Sequence, residues 1–91
     1  MIGYDLHEGE DYQDLEDAIQ AYGTWWHCLD STWLIESDDL AKDIKASLRQ
    51  HIKTGDRLLV MRYGKTVSGD GSNASWFGFK DVCQDWLKDQ L

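Results

Sequence analysis

Apolar residues follow two different periods along this chain, and the switches between them lay out its elements. In Met1–His7 (MIGYDLH), Ile2, Tyr4 and Leu6 alternate with Gly3, Asp5 and His7, the period-two pattern of a strand with one apolar face. From Asp11 the period lengthens: Tyr12, Leu15, Ile19 and Tyr22 recur at helical spacing. Asp11 stands as the N-cap, acids fill the first turn where the helix dipole favours them, and Gly23 ends the run, so a helix is expected over Tyr12–Tyr22. Thr24–Glu36 is rich in β-formers and reads as a hairpin turning at Asp30-Ser31. Ser37-Asp38-Asp39 opens a second helix reaching about Lys53, closed by Gly55, with Leu40, Ile44, Leu48 and Ile52 as its buried stripe. Arg57–Tyr63 is the fourth strand. Residues 64–75 form a polar loop, with Gly69–Asn73 its most flexible part. Trp76–Phe79 is expected as a short fifth strand, and Lys80–Leu91 as a closing helix that buries Val82, Cys83, Trp86 and Leu87.

This order predicts an α+β fold: a ferredoxin-like βαββαβ unit with an antiparallel sheet and two helices on one face, plus a short C-terminal strand and helix. The 91 residues make a single domain, with a core over 1–63, a loop over 64–75 and the C-terminal strand and helix over 76–91. The hairpin strands and the fourth strand are apolar on both faces, so the face away from the two helices needs a cover of its own. A second copy of the same face is the expected cover, making a homodimer with Trp25, Trp33 and Trp76 at its interface. The C-terminal segment could reach across that dimer. The alternative is that the chain's own C-terminal helix folds back over the sheet.

Charge narrows the partners. Acidic residues exceed basic ones, for a net charge of −8, which argues against broad adhesion to DNA or anionic membranes. Cys28 and Cys83 are too few and too far apart for a disulfide framework or a zinc cage, and read as buried thiols in a reducing compartment. No apolar run is long enough to span a membrane and no signal peptide opens the chain, so a cytoplasmic location is expected.

Three short stretches, taken in order, carry a resemblance. They are the opening strand ending in Tyr4-Asp5-Leu6, then Tyr22-Gly23 followed by Asp30-Ser31-Thr32-Trp33-Leu34-Ile35-Glu36, and finally Gly55-Asp56-Arg57-Leu58-Leu59-Val60. Together, over about residues 1–63, they resemble the small CRISPR-associated ferredoxin-fold proteins that partner the spacer integrase, and the related virulence-associated protein D ribonucleases. The resemblance implies a homodimer with the first-strand aspartate, here Asp5, at the two-fold axis. It also implies a shared Mg²⁺ on the paired carboxylates for phosphodiester cleavage.

The candidate sites divide accordingly. Asp5 and His7, two apart on one strand face, are the candidate metal ligand and proton-transfer group, since Mg²⁺ is held by one or two carboxylates with water and phosphate oxygens. The simpler account is an aspartate bonded to loop amides at a strand end, beside an exposed histidine. Lys45, Arg49 and Lys53, with Lys42, form a basic stripe that would meet phosphates, or else the solvent face of an amphipathic helix. The acidic run Glu8–Asp17 would dock a basic protein partner, or is a solvated helix start. The tryptophans would stack bases only in basic surroundings, which are scarce here, so core and interface roles are expected. His27 reads as a semi-buried, hydrogen-bonded histidine.

Two functions follow. The first is an acidic, homodimeric interaction or adaptor module in a phage-defence-like or toxin-like context, without catalysis. The alternative is a Mg²⁺-dependent endoribonuclease using paired Asp5 carboxylates, with RNA favoured over DNA as substrate.

Overall fold

The computed structural model describes residues 1–64 and 75–90. Four strands, β1 (Ile2–Asp5), β2 (Trp25–Leu29), β3 (Thr32–Ile35) and β4 (Arg57–Val60), form one sheet in the order β2-β3-β1-β4. Each neighbouring pair is antiparallel. Helices α1 (Gln13–Gln20) and α2 (Ala41–Arg49) follow β1 and β3, and α3 (Asp81–Gln90) closes the described chain. Among the described residues no helix is long and apolar enough to cross a membrane.

The registers assign each side chain to a face. Ile2 lies opposite Val60 and Trp33, and Tyr4 opposite Leu58; this first face carries the core. Leu15 and Ile19 of α1 and Ile44 and Leu48 of α2, each pair one helical turn apart, close over it with Ile2, Trp33 and Ile35. Full burial of such side chains contributes about 1.5–3 kcal/mol each. Trp33 is only 1% exposed, so its indole N–H needs an internal acceptor and finds the Tyr4 hydroxyl at 2.8 Å. Its ring stacks on His27 at 3.7 Å and meets Trp25 at 5.3 Å.

The second face holds Gly3, Asp5, Leu34, Arg57 and Leu59, by the same alternation. A register irregularity between Trp26 and Leu29 adds Leu29 to this side, opposite Thr32. Over its β2 end lies α3. Trp26 donates its indole N–H to the Cys83 carbonyl at 3.1 Å and meets Phe79 edge-on at 5.2 Å, while Leu87 is buried.

Four expectations are corrected. Cys28 and Cys83 are not free thiols but a disulfide, because α3 docks on β2 and brings their Cα atoms to 6.4 Å across 55 residues of sequence. Residues 75–80 are irregular rather than a fifth strand: Gly78 has φ +88, which breaks an extended run and turns Phe79 onto Trp26. The second helix ends at Arg49, with Gln50 as its cap, so Lys53 belongs to the following turn. β1 ends at Asp5, and His7 leaves the face that Asp5 occupies. The expected loop tip Gly69–Asn73 lies outside the described residues.

Candidate functional site

At the end of the sheet where β1 stops and β4 starts, three connections converge on Asp56. Its side chain is fully shielded from solvent. A carboxylate in that position needs donors on both oxygens. Oδ1 accepts from the His7 backbone N–H at 3.2 Å and from the His7 ring Nδ1; Oδ2 accepts from the Tyr12 hydroxyl and the Lys53 backbone N–H, both at 2.7 Å. Desolvation alone would raise the acid's pKa. The bonds from Lys53, Tyr12 and His7 outweigh it and hold the carboxyl down at about 2. Burial and the bond to Asp56 conversely raise the Tyr12 hydroxyl above its ordinary value.

An ionised Asp56 only accepts, so the bond between them requires a proton on Nδ1 of His7. The ring is 51% exposed. Gly55, at φ +91, brings the turn so close that a Cβ there would lie 3.3 Å from His7 Cε1. Lys53 extends from the same turn, with its amine 4.7 Å from the centre of the Tyr12 ring and 3.7 Å from a Glu10 carboxylate oxygen. The arrangement orients a half-exposed imidazole with a buried carboxylate, the pairing that general bases use. Neither sizeable groove described below is lined by it.

Asp5 is exposed on the second face, with Arg57 as its register partner on β4. His7 is thus paired with Asp56 and not with Asp5. No group of three or more His, Cys, Asp or Glu residues gathers as a metal site among the described residues. Asp5 brings one carboxylate, and the shared-ion arrangement that the resemblance implies takes its second from another copy.

The remaining expected site residues are dispersed. Lys45 and Arg49 are exposed on α2, while Lys53 is drawn off that stripe towards Tyr12 and Glu10. Trp25, Trp33 and Trp76 do not share a face. Trp33 is consumed by the chain's own core, which removes it from any surface a second copy could touch; Trp25 sits beside it, and Trp76 lines a groove on the second face. That groove, of about 440 Å³, runs between Trp26, Leu34, Met61, Trp76, Phe77 and Leu87. A second space of similar volume, at the ends of β3 and β4, is rimmed by Glu36, Asp38 and Asp39.

Sequence reasoning missed Asp56 as a hub. Gly55-Asp56 was visible as a polar turn, but its meaning depends on Tyr12 and His7 arriving from 44 and 49 residues away. No protein family, curated protein or solved structure matches this chain.

Proposed function

We propose that this chain is a small acidic, homodimeric protein on a ferredoxin-like frame, acting as an interaction or adaptor module in a phage-defence-like or toxin-like setting without catalysis of its own. The frame is supported by the strand order β2-β3-β1-β4 with α1 and α2 packed on one face. The observation that carries the functional reading is the half-covered second face. α3 shields its β2 end, while Leu59 (53% exposed), Met61 (51%) and Phe77 (98%) stand in solvent beside an apolar groove. A cluster of this kind on a highly charged protein favours burial against a partner. The acidic stretch Glu8–Asp17 offers a second, polar surface for a basic protein. Cytoplasmic residence belongs to this proposal. The disulfide pulls against it unless the bond is a reversible one.

Sedimentation analysis tests the dimer. Wild type is expected to self-associate, and Leu59→Lys with Met61→Glu to weaken association by about tenfold or more. A monomer at every concentration overturns the dimeric part. For the adaptor part, a captured protein partner should be lost when Glu10, Asp14 and Asp17 are changed to Lys; unchanged binding overturns it.

One observation favours the second reading, a Mg²⁺-dependent endoribonuclease. Asp5 is exposed at the end of a central strand, on the face left open for a second copy. In that reading Asp5 of each copy holds the ion, which would polarise a phosphodiester and activate water, and Lys45 and Arg49 meet the RNA backbone. Asp5→Ala then abolishes Mg²⁺-dependent RNA cleavage with the fold intact. Absence of cleavage by pure wild type overturns it.

A further inference from the structure

We propose that the Cys28–Cys83 disulfide is a reversible clasp: it holds α3 against the second face of the sheet, and its reduction by a dithiol releases α3 while the main core stays folded. Four observations converge on this. The main core, from Ile2 to Leu48, is built wholly on the first face and includes no residue of α3. Among the described residues α3 is fastened by few contacts: Trp26 bonds the Cys83 carbonyl and packs against Phe79 beside the disulfide, and Leu87 is buried one turn further on. The docked helix also carries a defect, since the Trp86 indole N–H is buried without a hydrogen-bond partner. Such a group is satisfied by water once the helix lifts away. Finally, both cysteines are only half-buried and lie outside the main core cluster, so the bond is not sealed within it.

The exchange is balanced by the dithiol. One of its thiolates attacks a cystine sulfur, forms a mixed disulfide and expels the other cysteine as a thiolate. Its second thiol then attacks the mixed disulfide, frees the remaining cysteine and closes into the oxidised dithiol. Two electrons and two protons pass to Cys28 and Cys83. With the tether gone, α3 is held only by its non-covalent contacts, and Trp26, buried against it, joins the apolar surface already exposed at Leu59 and Met61. Redox state would thereby set how much of the second face is open.

Hydrogen exchange on the full chain, with and without dithiothreitol, tests the clasp. Amides of Gln84–Lys88 are expected to lose protection by about tenfold or more on reduction, while those of Leu15–Ile19 and Ile44–Leu48 keep theirs. The double variant Cys28→Ser, Cys83→Ser should show the loose α3 without reductant and no further response to it. Unchanged protection of α3 on reduction overturns the proposal, because the contacts alone then hold the helix. Equal loss in α1 and α2 overturns it as well, because the bond then staples the whole fold. Two free thiols in the native protein after air oxidation would remove its premise.

Discussion

His7 and Asp56, 49 residues apart in sequence, are joined twice: the aspartate's Oδ1 accepts both the backbone N–H and the ring Nδ1–H of the histidine. One carboxylate thereby pins the exit of β1 to the turn that starts β4. Asp56→Ala is expected to lower the thermal midpoint more than His7→Ala does. The first strands the donors of Tyr12, Lys53 and His7 together, and the second removes only the ring. Thermal denaturation of the two variants checks the order.

The same carboxylate sets an acid response. Its folded-state pKa of about 2 lies below the ordinary value of 3.8, so between those values the unfolded chain binds more protons than the folded one. The stabilisation it gives is complete above pH 3.8 and is lost as the pH falls through 2. Urea midpoints from pH 5 downwards should fall more steeply for wild type than for Asp56→Asn, which lacks the titrating group. Parallel curves would assign the acid response to other groups.

Gly55→Ala should cost about 1–2 kcal/mol from the left-handed backbone alone. It should also displace the His7 ring, whose Cε1 would sit 3.3 Å from the new methyl group. Gly23→Ala provides the control, having φ +97 but nothing within 4 Å of its Cβ. Both variants lose stability, but only the first should shift the His7 imidazole resonances.

Leu48→Ala, at a fully buried position of α2, is expected to cost about 2–5 kcal/mol. Arg49→Ala, its exposed neighbour, should stay within about 0.5 kcal/mol. If the basic stripe meets RNA, that second variant weakens RNA binding without touching stability, and a binding isotherm beside a melt separates the two effects.

The parts legible in the sequence were those written in a local period. Leu15 and Ile19, Ile44 and Leu48, and the alternation of Ile2 and Tyr4 against Gly3 and Asp5 each place a side chain on the correct face by spacing alone. The Asp30-Ser31 turn was readable for the same reason. What escaped was decided between distant segments. Ile52 continues the helical stripe, yet the helix stops at Arg49, and the turn that follows is tied through Asp56 to Tyr12 and His7, 44 and 49 residues away. Trp33, expected at an interface, belongs to the core because Tyr4, His27 and two helices surround it. The disulfide depended on where α3 docks, and no period in either segment encodes that.

The strand order also bears on how the chain is made. β1 is central, but its two neighbours come from Thr32–Ile35 and Arg57–Val60. During synthesis one of its edges stays unpaired until Ile35 has left the ribosome, and the other until Val60 has. Closing those long loops before pairing rewards them slows folding. Cys83 emerges later still, so every strand of the sheet is made before the bond from Cys28 can close over it.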